Sequence, residues 1–257
     1  MGLKYGILAR RGWFRVIDFR FILGKEIFTN ELWIQARGYG SVENMRWRFR
    51  PGIYRCSREL LRSTFGRLFR VQVEGLGYLP KEGPAIICPK HQRWEDIIVT
   101  GLALPRPLRF IAKVELFQQP VVREFIGALG GVPVDRREPR ATLSSFKELL
   151  PMLKERAYVV LYPEGTYVKG GVGVGKHRLI QLLLKWQARD GLGVLPFLPM
   201  GISYHKSSWS YEAKVKLGAP LKATGPEKAV ELTRALMARI AELSGVNCIP
   251  GSGNSKL

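Results

Sequence analysis

Short apolar runs alternate with amphipathic segments from Val71 onward. The runs are rich in β-branched residues and are bounded by Gly and Pro, which is typical of strands. They predict strands at residues 71–73, 85–88, 108–111, 132–134, 158–162, 194–204 and 214–217. Apolar residues at helical spacing predict helices between them, most clearly at residues 94–104, 121–129, 141–156, 177–188 and 227–243. This alternation predicts an α/β fold in which a mixed, mostly parallel sheet is flanked by helices.

The first 70 residues differ from the rest because they mix aromatic and aliphatic side chains with many arginines. Residues 5–23 and 54–70 both have this composition, and the second segment has apolar residues at helical spacing. Such a mixture is typical of helices that lie at a membrane interface, although both segments could instead pack on the domain. We predict a basic amphipathic helical docking segment over residues 1–70 and an α/β domain over residues 71–257.

The charge of the chain indicates a polyanionic partner. Its 257 residues include 41 Lys and Arg against 21 Asp and Glu, which gives a formal net charge of +20. Either nucleic acid or the anionic lipid of a membrane suits this balance. Since the arginines lie among large apolar residues and the sequence has no RRM, zinc-finger or helix-turn-helix signature, we favour the membrane and keep nucleic-acid binding as the alternative.

The cysteines and the hydropathy pattern limit the class of protein further. Cys56, Cys88 and Cys248 are far apart and form no CxxC pair, so the sequence predicts no disulfide framework and no metal site. The sequence has no run of about 18 uncharged apolar residues, which a membrane-spanning helix would need. It also has no short apolar stretch followed by a small-residue cleavage site, which a signal peptide would need. We expect a peripheral protein on the cytoplasmic side of a membrane.

A polar cluster follows the predicted strand at residues 85–88. His91 and Asp96 are five positions apart, which would turn them about 140° away from each other on a continuous helix. They can meet if His91 lies on a loop and Asp96 lies in the first helical turn. An imidazole held in this way suits a general base near neutral pH. The alternative is an aspartate that caps the helix beside a surface histidine.

Polar groups also follow three other predicted strands. Lys113 and Arg136 stand at the ends of two of them, and the YPEGTY segment places Glu164 and backbone amides after a third. The ligand crevice of an open α/β sheet lies beyond the carboxyl ends of its strands, so we expect these groups to converge there.

Four ordered blocks between about Gly75 and Pro220 resemble the glycerophospholipid acyltransferases of the 1-acylglycerol-3-phosphate acyltransferase type. The HxxxxD motif of that family is HQRWED here, from His91 to Asp96. The family's G-x-I-F-I-D-R block is GGVPVDR, its F-P-E-G-T-R-S block is YPEGTYV, and its V-P-x-x-P-V run is LPFLPMG. HxxxxD alone is a weak signal, whereas four blocks in order are specific.

The resemblance implies transfer of a fatty acyl group from acyl-CoA or acyl carrier protein to the free hydroxyl of a lysophospholipid, most simply 1-acylglycerol-3-phosphate. It implies no cofactor and no covalent acyl-enzyme. His91 would take the proton of the acceptor hydroxyl, and Asp96 would orient the imidazole. The acceptor would be bound by two cations for its phosphate, Lys113 and Arg136, and by a turn made of Glu164, Gly165 and Thr166.

One position departs from the family's pattern. The arginine that follows E-G-T in the family, and that is also associated with the acceptor phosphate, is Tyr167 here. Lys169 could supply the missing charge, or the acceptor could differ from lysophosphatidic acid. Loss of activity in a lipid-binding relative is a further alternative, which the intact His91 and Asp96 argue against.

Overall fold

A computed structural model of the chain describes residues 49–134, 146–206 and 211–249, all of which lie in one compact unit. The amphipathic stretch at residues 5–23 of the predicted docking segment, and the predicted phosphate ligand Arg136, lie outside these ranges. The described helices are α1 Pro51–Leu68, α2 Glu95–Ala103, α3 Pro120–Ala128, α4 Leu149–Lys154, α5 His177–Arg189 and α6 Ala229–Ser244. The described strands are β1 Phe69–Glu74, β2 Ala85–Pro89, β3 Leu108–Lys113, β4 Gly131–Val134, β5 Tyr158–Val160, β6 Phe197–Lys206 and β7 Tyr211–Leu217.

The described strands form one sheet in the order β1-β7-β6-β2-β5-β3-β4. Strands β6 and β7 pair antiparallel, and the other neighbours pair parallel. The predicted fold class, a mixed and mostly parallel sheet flanked by helices, is therefore confirmed. Because β2 lies between β5 and β6, the loops that follow these three strands meet at one edge of the sheet.

The central strand β2 separates two apolar cores. Its five residues are all buried, which explains why it reads as an unbroken apolar run rather than an alternating one. Successive side chains point to opposite faces of the sheet, so Ile86 and Cys88 join one core, and Ala85 and Ile87 join the other. A strand buried in this way holds the loop that begins after Pro89 in a fixed place.

Helix α1 packs its apolar face on the domain. Tyr54 is buried, and its hydroxyl oxygen accepts a hydrogen bond from the Leu108 backbone N–H. Phe65 stacks on Phe69 at the start of β1, with the two ring centroids 4.3 Å apart. This is the packing alternative that the sequence left open for residues 54–70. The predicted boundary at residue 70 falls inside β1. Helix α1, which belongs to the predicted docking segment, therefore leads directly into the first strand of the sheet.

One predicted helix is shorter than expected. The pattern at residues 141–156 predicted a single helix, but within the described residues a turn at residues 147–148 precedes α4. Pro151 explains the break, since proline lacks an N–H and its ring clashes with the carbonyl four residues before it. Pro151 is tolerated here because it lies in the first turn of α4.

Candidate active site

His91 and Asp96 meet beyond the carboxyl end of β2. His91 lies on the loop that follows Pro89, and Asp96 is the second residue of α2. The His91 Nδ1 atom is 3.2 Å from Asp96 Oδ2. The side chain of Asp96 is fully buried, whereas 12% of the His91 side chain is exposed. The structure thus has the arrangement that the five-residue spacing required.

Asp96 also fixes the loop that carries His91. Its Oδ2 atom accepts hydrogen bonds from the backbone N–H groups of Gln92 at 2.6 Å and Arg93 at 2.7 Å. One carboxylate therefore closes the turn between β2 and α2 and contacts the imidazole. Because Nδ1 faces a carboxylate, the neutral imidazole carries its proton on Nδ1 and has the lone pair on Nε2.

Tyr204 is a further hydrogen-bond partner of Asp96, and the sequence did not identify it. Its hydroxyl donates a hydrogen bond of 2.7 Å to Asp96 Oδ1. Burial, and then the negative charge of Asp96, raise the pKa of the Tyr204 hydroxyl, so it remains a proton donor. The signal that could have found Tyr204 is its place near the carboxyl end of β6, but the sequence does not reveal that β6 lies beside β2.

The His91 ring lies between two tyrosines. Its centroid is 3.9 Å from that of Tyr162, and the planes are inclined by 26°. Tyr167 lies 4.3 Å away and is inclined by 55°. The residue that replaces the family's arginine is thus in direct contact with the imidazole. Burial raises the pKa of Tyr162, so this neighbour of His91 stays neutral.

Glu164 lies beneath His91 and pairs with a buried lysine. Lys90 Nζ is 2.8 Å from Glu164 Oε1 and 3.0 Å from Oε2. Glu164 Oε2 also accepts a hydrogen bond of 2.8 Å from the His91 backbone N–H. The resemblance implies that Glu164 shapes the acceptor turn, whereas the sequence does not single out Lys90, because a lysine after a strand ordinarily reaches solvent.

The other predicted binding residues differ in how far the structure places them. Gly165 has φ of +67°, and a Cβ there would lie 3.0 Å from the Lys176 side chain, so the turn requires glycine. Thr166 is exposed on the same turn. Lys113 is the last residue of β3, two strands away from β2. Strand β4 ends at Val134, just before the undescribed Arg136.

Two kinds of feature are absent from the described part of the chain. No helix there combines the length and apolar character needed to cross a bilayer. Within the same ranges, no group of His, Cys, Asp and Glu side chains could hold a metal ion.

Comparison with known proteins identifies the family. Residues 70–203, about half of the chain, match the Acyltransferase domain family. The chain belongs to the acyltransferase family. A 1-acyl-sn-glycerol-3-phosphate acyltransferase of Bacillus subtilis is 30% identical over 187 residues, which cover 67% of this chain and 87% of the relative. The enzyme of that name from Pseudomonas aeruginosa is 31% identical over 181 residues, which cover 67% and 68%.

Other relatives in the acyltransferase family match over less of their length. A chloroplastic 1-acyl-sn-glycerol-3-phosphate acyltransferase of Arabidopsis thaliana is 33% identical over 135 residues, which span only 36% of that protein. A lyso-ornithine lipid O-acyltransferase of Rhizobium meliloti is 27% identical over 138 residues. The crystal structure of a 1-acyl-sn-glycerophosphate acyltransferase from Thermotoga maritima has the same fold, with a TM-score of 0.58 and 24% identity. The aligned part covers 74% of this chain and 78% of the Thermotoga chain.

Proposed function

We propose that this acyltransferase-family protein moves a fatty acyl group from a thioester to the free hydroxyl of 1-acylglycerol-3-phosphate, giving phosphatidic acid. The observation that carries the proposal is the hydrogen-bonded pair of His91 and Asp96 at the carboxyl edge of the sheet. The names of the Bacillus and Pseudomonas relatives support both the reaction and the acceptor. The proposal covers both acyl-CoA and acyl carrier protein as the thioester donor.

His91 acts as the general base in the proposed mechanism. With its proton held on Nδ1 by Asp96, the imidazole accepts the proton of the acceptor hydroxyl at Nε2. The hydroxyl oxygen attacks the thioester carbonyl, and the resulting tetrahedral intermediate expels the thiolate. The imidazolium is stabilised by the Asp96 charge and returns its proton to the thiolate. Proton transfer of this kind contributes about 10²- to 10⁴-fold to a rate.

Acceptor binding is assigned to the strand ends around His91. Lys113 and Arg136 bind the phosphate in the proposal, since an ammonium and a guanidinium both suit phosphate oxygens. The turn of Glu164, Gly165 and Thr166 positions the acceptor beside the imidazole. Tyr167 adds an aromatic surface to this turn in place of a cation, and its contact with His91 supports a place at the reacting centre.

A membrane surface is the proposed location of the substrate. The net charge of +20 and the arginines at positions 10, 11, 15 and 20 support attraction to anionic lipid. We place the protein at the cytoplasmic face of a membrane as a peripheral protein, where both a lysophospholipid and a soluble thioester can reach the site.

The experiment that tests the function is product analysis by mass spectrometry. The protein is incubated with an acyl-CoA or an acyl carrier protein thioester and with a panel of lysophospholipids. We expect phosphatidic acid from 1-acylglycerol-3-phosphate, together with stoichiometric release of free thiol. Thiol release without an acylated lipid, or no turnover with either donor, contradicts the proposal.

A second candidate acceptor is a lysolipid without a phosphate monoester. The tyrosine at position 167 and the likeness to a lyso-ornithine lipid acyltransferase favour it. Lyso-ornithine lipid therefore belongs in the panel. Preferential acylation of that lipid would replace the acceptor in the proposal and leave the reaction type unchanged.

A further inference from the structure

Lys90 is a buried cation beside the candidate base. Its side chain and that of Glu164 are each only 1% exposed. Removing two charges from water costs free energy that their mutual attraction recovers only when hydrogen bonding is complete. Such a pair therefore need not increase the stability of the fold. Its position next to His91 points instead to a role in holding that residue.

The lysine ammonium binds the backbone around His91. Lys90 Nζ contacts both carboxylate oxygens of Glu164. It also lies 2.8 Å from the Val168 carbonyl oxygen and 3.1 Å from the His91 carbonyl oxygen. The Val168 backbone N–H donates to that same His91 oxygen at 2.9 Å. One cation thus joins the loop after β2 to the segment that follows the E-G-T turn.

Glu164 holds the other side of the same residue. Oε2 accepts the His91 backbone N–H, and Oε1 accepts the Gly173 backbone N–H at 2.9 Å. A carboxylate has about four lone-pair sites. Lys90 contacts both oxygens and one backbone N–H contacts each of them, so little hydrogen-bonding capacity of Glu164 is left for an acceptor molecule.

We propose that Lys90 and Glu164 form a positioning pair, which fixes the backbone of His91 while Asp96 fixes its ring. The pair contacts both the N–H and the carbonyl of His91 and contributes no group to substrate. This inference rests on the proposed function of His91 as the base, and it changes the role of Glu164 from shaping the acceptor turn to holding the catalytic loop.

The test is a steady-state comparison of variants that separates kcat from KM. Lys90→Met combined with Glu164→Gln removes both charges and so leaves no unpaired buried ion. Glu164→Asp keeps the charge but withdraws the carboxylate by one methylene from the His91 N–H. We expect kcat to fall about 10-fold or more in both, with KM for the acceptor within about twofold, because small displacements of a reacting group are costly.

A matched control removes an exposed pair. Lys228→Met with Glu231→Gln makes the same substitutions in an ion pair whose side chains are 57% and 74% exposed, and it should leave kcat unchanged. Unchanged kcat in Glu164→Asp, or a rise in KM at constant kcat, overturns the positioning role. If the double variant does not fold, Glu164→Asp alone decides. Failure of the proposed function is distinct, since the unaltered protein would then show no turnover.

Discussion

At the scale of single residues, the site is built around a buried carboxylate, Asp96, that accepts four hydrogen bonds. Asp96 accepts from His91, from two backbone N–H groups and from Tyr204. Each of these donors takes up part of the negative charge of Asp96, so less of that charge acts on the His91 imidazole. Since Asp96 has no exposed surface, its only route to the chemistry is through the orientation and charge of His91.

Tyr204→Phe tests the hydrogen bond to Asp96. Loss of the hydroxyl donor leaves Oδ1 of the buried carboxylate without a partner, so Asp96 holds the His91 ring less firmly. We expect kcat/KM to fall about 10-fold, because small displacements of a reacting group are costly. The measurement is steady-state kinetics, with Tyr78→Phe at an exposed position as control. Unchanged kcat/KM in Tyr204→Phe contradicts the expectation.

Tyr167→Arg tests whether a missing charge limits the acceptor. The substitution restores the family's cation beside His91, so we expect a lower KM for 1-acylglycerol-3-phosphate. Tyr167→Phe keeps the ring that lies against His91 and adds no charge, and it should not lower this KM. Kinetic assays of both variants decide, and an unchanged KM in Tyr167→Arg removes the idea that charge is limiting.

At the scale of secondary-structure elements, local patterns predicted most of the strands and helices but not their neighbours. The unbroken apolar run of β2 and the turn residues after it were enough to place His91 on a loop. The contacts of Lys90 with Glu164, and of Asp96 with Tyr204, depend on β5 and β6 lying on either side of β2. Sequence periodicity holds no information on that order, so both contacts were missed.

Helix α6 packs closely on strand β6 at Gly201. A Cβ on Gly201 would clash with the backbone of Leu243, so Gly201→Ala should force the two elements apart. We expect a loss of about 1–3 kcal/mol in the free energy of unfolding, measured by chemical denaturation. Gly66→Ala is the control, because nothing lies within 4 Å of its Cβ position in α1 and alanine favours helix. Equal stability of Gly201→Ala and the unaltered protein would contradict this packing.

At the scale of the whole molecule, the proposed membrane location rests on the net charge of +20. A formal charge of +20 attracts anionic lipid by about 1 kcal/mol for each Lys or Arg close to the surface. The same charge would attract nucleic acid, and the proposed lysophospholipid acceptor is the reason to favour the membrane. The packing of α1 on the domain leaves the aromatic and basic segment at residues 5–23 as the principal candidate for contact with lipid.

Association with vesicles should depend on salt. We expect the fraction bound to phosphatidylglycerol vesicles to fall as NaCl rises from about 0.1 M to about 1 M, because the screening length shrinks from about 10 Å to about 3 Å. Sedimentation measures this fraction, and phosphatidylcholine vesicles are the uncharged control. Binding that ignores ionic strength contradicts the electrostatic account, and tight gel shifts on DNA or RNA without vesicle binding would favour the nucleic-acid alternative.

The central claim is that His91 is the base that activates the acceptor hydroxyl, and thiol release by His91→Ala tests it most directly. His205→Ala is the matched control, since His205 is exposed and follows Tyr204 on β6, so that its side chain points to the opposite face of the sheet. At equal concentrations of folded protein, we predict that His91→Ala loses at least about 100-fold in acceptor-dependent thiol release and that His205→Ala retains it. Turnover that survives in His91→Ala would contradict the account.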